Sequence, residues 1–195
     1  MRKREGNKEQ AILKAATDIF AEYGYHGAKI AAIAEAAGVA TGSVYLYYEN
    51  KEAVLLRLFE DLWTNLIKVL KVTVARTDIE PMEKLNIMVD QYFDAFITNP
   101  ALAKVYVSEQ QQLIKEDRGN VAKHYDSFLT LAEEIIREGM QKKIFNPDVD
   151  IKLFRHYLTG GIRSLLQLWA NQPQAFPLNR IKQNVKYFIQ QGLKK

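Results

Sequence analysis

Ile33-Ala34-Glu35-Ala36-Ala37-Gly38-Val39-Ala40-Thr41-Gly42-Ser43-Val44-Tyr45 is the stretch on which the reading of this chain turns. Two short helical runs meet at a glycine-containing turn of three or four residues, the outline of a helix-turn-helix whose second member lies in the DNA major groove. Gly38 is placed to end the first run in a left-handed conformation. Small Ala34 and Ala37 let the helices cross closely, and Val39 and Val44 are expected to plug the junction. The second run, about 40–46, is too short to build a core of its own and makes sense as a reader held by its neighbours. Its outward groups are short: Thr41 and Ser43 can hydrogen-bond base edges or phosphates, Gly42 removes bulk, and Tyr45, Tyr47 and Lys51 can reach the flanking backbone.

Outward from this stretch the chain reads as helix throughout. Its strong breakers fall near 24–27, 38–42, 76–81, 99–100, 117–119, 146–147 and 171–177, and apolar residues between them recur with helical rather than alternating spacing. An all-α protein of nine helices is predicted, at about 8–23, 29–36, 40–46, 51–74, 81–97, 101–112, 120–142, 150–170 and 178–192. Asn7 and Gln10 form a capping-box arrangement at the first, Asn50 can cap the fourth, and Pro81 suits the first turn of the fifth. The expected domains are 1–50, a three-helix DNA-binding unit, and 51–195, a helical effector-binding and dimerisation unit. The eighth helix carries apolar residues on more than one face. Either it is central to its domain, or its outer face meets a second subunit; pairing of helices eight and nine (about 150–170 and 178–192) with their twofold mates satisfies both. Gly160 and Gly161 would then allow close approach, or are simply tolerated small residues.

Composition narrows the function classes. The 195 residues are 48% hydrophobic and 26% charged with 10 Gly, 5 Pro and no Cys, which excludes disordered, collagen-like, disulfide-framed and thiolate-based proteins. No apolar run reaches membrane-spanning length and the N-terminus is charged, so a soluble cytoplasmic protein with no membrane partner is expected. The net charge of +4 permits a nucleic-acid partner without requiring one. Arg2, Lys3, Arg4 and Lys8 against Glu5 make the first eight residues +3, an arm for phosphates or a minor groove, or a solubilising tail. Residues 1–51 hold seven Lys or Arg and six Asp or Glu, a net +1, so DNA affinity must come from placement. His26, His124 and His156 are far apart and lack a ligand-pair pattern, so no metal is expected. Gly38 to Ser43 lacks the Gly-Lys pair of a phosphate loop, and Glu133, Glu134 and Glu138 read as a solvated face rather than a carboxylate centre. No enzyme activity is expected.

The ordered set Ala16 to Phe20, Gly24-Tyr25, Ile33-Ala34, Ala37-Gly38-Val39, Gly42-Ser43-Val44-Tyr45, Tyr47-Tyr48 and Asn50-Lys51-Glu52 with Val54-Leu55 resembles the DNA-binding domain of the TetR family of bacterial transcriptional regulators. The resemblance covers about a quarter of the chain, and the rest agrees in length, helix count and order. It implies a homodimeric repressor on a palindromic double-stranded DNA operator, released by a small effector. Thr41, Ser43, Tyr45, Tyr47 and Lys51 fall on the family's DNA-contacting positions, and Lys29 near the start of the helix that flanks the backbone. The chain departs from the pattern at Tyr47, at Tyr48, whose hydroxyl needs a partner, and at Ala28, which weakens a cap by about 1 kcal/mol.

The family's C-terminal domain encloses an effector whose binding moves the fourth helix. Candidate liners are Trp63, Tyr92, Phe93, Phe96, Tyr106, Gln110, Tyr125, Phe128, Tyr157, Ile162 and Trp169, a set that suits an apolar or amphipathic molecule with a few hydrogen-bonding atoms. No other cofactor is expected. The whole chain is loosely similar to the family's fatty-acid-responsive repressors, which implies long-chain acyl-coenzyme A, with Arg118, Lys123 or Arg163 for its head group. The alternative is a helical small-molecule carrier or adaptor without sequence-specific DNA binding.

Overall fold

The computed structural model describes residues 2–115 and 120–195. Among them the order is α1 (Arg2–Gly27), α2 (Ile30–Ala36), α3 (Thr41–Tyr45), α4 (Lys51–Ala75), α5 (Pro81–Thr98), α6 (Pro100–Lys115), α7 (Val121–Gln141), α8 (Ile151–Asn171) and α9 (Leu178–Leu193). The fold is the expected all-α, nine-helix one, with an N-terminal helix-turn-helix. Local signals set most boundaries. Asn50 Oδ1 accepts the Ala53 amide at 2.9 Å, Asn99 Oδ1 accepts that of Leu102 at 3.0 Å, and Asp150 Oδ1 accepts those of Lys152 and Leu153. Pro81 and Pro100 occupy first helical positions, where a missing N–H costs nothing. Gly24, at φ +68°, interrupts α1 three residues before its end.

The largest boundary difference is at the N-terminus. Helix α1 begins at Arg2 rather than near residue 8, so the basic arm is the helix's own first turns. Arg, Lys, Glu and Gln are good helix formers, and Gly6 and Asn7 do not suffice to stop a helix anchored downstream by buried Ile12, Ala15, Ala16 and Phe20.

The described residues form two compact units: Met1–Leu62 with Asn99–Ala122, and Trp63–Thr98 with Lys123–Lys195. In the first, α6 packs along α1, and α2 contacts both α1 and α3. In the second, α9 packs on α5 and α8. Lys182 reaches Asp94 at 2.7 Å and Lys186 pairs with Asp90, joining α9 to α5 along their flank. Gly192 lies so close to Phe154 that a Cβ there would sit 2.8 Å from its ring, and a Cβ at Gly139 would collide with the ring of buried Phe145.

The α7 glutamates Glu133, Glu134 and Glu138 are not a common solvated face. Glu133 is buried and receives Arg155 at 2.8 Å and Arg137 at 2.7 Å. Glu138 receives Lys84 at 2.7 Å and Lys142 at 2.9 Å, and of the three glutamates only Glu134 is exposed. Lys84 is 2% exposed, and its ammonium also donates to the Val74 carbonyl at 2.9 Å, near the end of α4 where helical carbonyls lack partners. Its position on the buried stripe of Pro81, Leu85, Val89 and Tyr92 explains its depth.

Replacing Lys84 with Met keeps the stem but strands that carbonyl, while Glu138 retains Lys142; the expected cost is about 1–3 kcal/mol in urea unfolding. Hydrogen bonds from Lys142, then Lys84, hold the Glu138 carboxyl below its ordinary value of 4.5. Because the folded value is lowered, the stabilisation is present above the unfolded value and is lost as pH falls through the folded one. The gap between wild type and Lys84→Met is therefore expected to narrow in acid; a gap independent of pH would contradict the pairing.

Candidate nucleic-acid interface and interior aromatic cluster

The turn between α2 and α3 has a specific backbone solution. Gly38 sits at φ +66°, its amide donates to Glu35 O at 3.0 Å, and the Val39 amide donates to Ala34 O at 3.0 Å. This is the paired closure of a Schellman end, which a residue without a Cβ adopts at no steric cost. Ile33, Ala34 and Val44 are fully buried, each of the larger two contributing about 2 kcal/mol of apolar burial. That anchoring holds α3, five residues long and far below the length that is stable alone.

What α3 turns outward is what the sequence proposed. Thr41 and Gly42 are exposed, Ser43 is half-buried, Tyr45 is 54% exposed, and no atom lies within 4 Å of a Cβ built on Gly42. Tyr47 is half-buried, its ring 6.5 Å from that of Tyr48. Lys29 is exposed in extended backbone at the start of α2, with no side-chain cap there, and Ala28 is buried instead. Leu46, next to Tyr45, is 84% exposed and was missed by sequence reasoning, since an apolar residue at a helix end gives no signal of exposure.

Tyr48 and Lys51 bond within the chain. Tyr48 is buried, and its hydroxyl donates to Glu9 Oε1 at 3.1 Å; burial, then the Glu9 charge, pushes that hydroxyl's pKa up, so it stays protonated. The departure from the family pattern at this position thus acquires a partner on α1. Lys51 donates to the carbonyls of Tyr25 at 2.7 Å, His26 at 3.0 Å and Ala28 at 3.1 Å, and its Nζ lies 4.7 Å from the Tyr25 ring centre. Its ammonium hydrogens are thus directed at three backbone carbonyls of its own chain.

The proposed effector liners divide between the two units. Six come together in the second: the Trp63 ring lies 5.1 Å from Tyr125 and 5.3 Å from Phe128, and Tyr92 lies 5.3 Å from Phe93 and 5.1 Å from Phe96. Burial raises the Tyr125 hydroxyl's pKa, opposed by a hydrogen bond with Thr159 and by the charges of Arg155 and Arg163, so polar groups gather at that edge. Trp169 is buried and Ile162 half-buried on α8. Tyr106 and Gln110 belong to the first unit, where Tyr106 lies 6.1 Å from Phe59 and the buried Gln110 Oε1 has no hydrogen-bond partner among the described residues. Tyr157 is 75% exposed on α8, so its ring does not line an interior. Of the head-group candidates Lys123 and Arg163 are exposed, and Arg118 lies outside the described residues.

Among the described residues no group of three or more His, Cys, Asp or Glu could hold a metal ion, and no helix is long and apolar enough to cross a membrane. Residues 12–58 match the family profile described as bacterial regulatory proteins, tetR family, and residues 59–192 that described as YsiA-like protein, C-terminal region. The chain is similar to the fatty acid metabolism regulator protein of Bacillus subtilis, 28% identical over 191 residues and 98% of each chain. Among solved structures it resembles the fatty acid degradation regulator FadR from Bacillus halodurans, at 30% identity and TM-score 0.83 over 93% of this chain and 94% of that one. It also resembles FadR from Bacillus subtilis in complex with stearoyl-CoA, at 28% identity and TM-score 0.82 over 94% and 98%. The chain therefore belongs to the TetR family of bacterial regulatory proteins, ligand-responsive DNA-binding repressors rather than enzymes.

Proposed function

We propose that this protein is a homodimeric repressor that reads a palindromic operator through α3 and is released by a long-chain acyl-coenzyme A. Residues 1–50 supply the reader and residues 51–195 the effector and dimer functions. The observation that carries the DNA reading is the outward display of Thr41, Gly42, Ser43 and Tyr45 on a helix with no packing role beyond Val44. Lys29 and Tyr47 flank this surface as backbone contacts.

The effector reading is supported by the likeness to the stearoyl-CoA-bound regulator and by the interior chemistry. Trp63, Tyr92, Phe93, Phe96, Tyr125 and Phe128 supply apolar ring surface for an acyl chain, with Arg163 near the polar edge at Tyr125. Release requires the effector to prefer the conformation that binds DNA poorly: a roughly 100-fold loss of operator affinity corresponds to about 3 kcal/mol of differential affinity.

The dimer reading rests on α8 and α9. Leu153, Tyr157, Gly160, Gly161 and Ser164 share one side of α8 at helical spacing, and a Cβ at either glycine would meet nothing of its own chain within 4 Å. Tyr187 and Phe188 are exposed on α9. A monomer has no use for such a face, whereas a twofold mate would cover it. Tyr157 belongs here rather than among the effector liners.

Tyr45→Ala is expected to weaken binding to a selected operator about 10- to 100-fold with helicity unchanged; unchanged affinity in a mobility-shift titration would displace α3 as the reader. In a thermal-shift series, stearoyl-CoA is expected to raise the melting temperature more than small aromatics, and the reverse order would overturn the acyl assignment. Gly161→Glu is expected to leave the monomer folded while sedimentation shifts from dimer to monomer; an intact dimer would contradict the α8 interface.

A further inference from the structure

Gly24, at φ +68°, interrupts α1 three residues before its end, where the last carbonyls of a helix lie beyond the reach of its own amides. The Tyr25, His26 and Ala28 carbonyls converge there on one cation, the Lys51 ammonium, at 2.7, 3.0 and 3.1 Å. An ammonium has three donors, and all three are engaged. The Tyr25 ring adds a face at 4.7 Å, and that ring is itself fixed against Phe20 at 5.9 Å and His26 at 5.3 Å. Lys51 is also the first residue of α4, where the helix dipole disfavours a positive charge. The carbonyl cluster offsets that cost.

We infer that Lys51 is a positioning residue of the DNA reader rather than a phosphate contact: its side chain fastens the end of α1 and the entry to α2 onto the start of α4, and so sets the angle at which α2 and α3 are presented. This rests on the DNA-binding reading proposed above. A phosphate could take the ammonium only by drawing it off all three carbonyls and the Tyr25 ring, an exchange of hydrogen bonds with little to gain. The geometry also excludes a simple Arg substitute, because a planar fork does not converge on three acceptors around one apex.

The test compares wild type, Lys51→Met and Lys51→Arg, each as the full chain and well below its melting temperature, on a selected operator and on an unrelated duplex across a salt series. Positioning predicts at least a tenfold loss of operator affinity in both variants, unchanged affinity for the unrelated duplex, and an unchanged slope of log affinity against log salt. A phosphate contact in each protomer predicts instead that Met lowers the magnitude of that slope by about 2 per dimer and that Arg restores binding, which would overturn the inference. A lowered melting temperature with unchanged operator affinity overturns it too, because the contact would then serve stability alone. Should Lys51→Met fail to fold, the wild type carries the test: the nitrogen-labelled Lys51 ammonium signal is expected to keep its shift when operator is added, and a change on binding would hand it to phosphate. A wild type with no sequence preference overturns the DNA reading itself and this inference with it, an outcome distinct from the other results.

Discussion

Burial of Val44 is the interaction on which the reader depends. A five-residue helix has too few internal hydrogen bonds to repay the cost of its nucleus, so α3 exists because its one inward side chain is fully buried and α2 packs against it. Everything else on α3 is free to be chosen for what it meets outside. That division of labour explains the composition of the segment: a single core residue among Thr41, Gly42, Ser43 and Tyr45, with Gly38 before it supplying the one backbone conformation that closes the turn.

Long-range polar contacts supplement the buried apolar residues Ile12, Ala16, Phe20 and Ile33 in the frame around that helix. Tyr48 with Glu9 and Lys51 with three carbonyls both tie α1 to the segment leading into α4. Lys84 does for the end of α4 what Lys51 does for the end of α1, donating to a carbonyl that the helix itself leaves open. In both cases a lysine that composition would assign to solvent is used as a cap delivered from another helix. Helix α4 carries Lys51 at its start and Trp63 in its middle, so one element contributes both to the reader's frame and to the aromatic cluster.

Helix positions were legible because their signals are local. Asn50, Asn99 and Asp150 act on amides two or three residues away, and Gly24 and Gly38 act on their own dihedrals, so a single sequence contains the cause. The first helix extends beyond its predicted start because a capping-box pattern at Asn7 is a weak stop against continued propensity. Side-chain destinations were less legible. Tyr157 reads as interior because α8 is apolar nearly all round, and periodicity alone does not say which side meets its own chain. Lys84 and Glu133 occupy stripe positions that could have marked them as buried, but the partners that make burial tolerable, Glu138 and Arg155, lie 54 and 22 residues away. Lys51 illustrates the same limit: the family pattern fixes its position, and only the fold shows where its three donors go.

The central claim is that a short, externally presented helix selects DNA sequence. Enrichment of duplexes from a random pool by the purified protein, with and without stearoyl-CoA, tests it most directly. A palindrome with two equivalent half-sites, lost when the acyl-coenzyme A is present, is the predicted result. A pool that stays random in both arms would contradict the claim and leave a helical carrier as the reading of this chain.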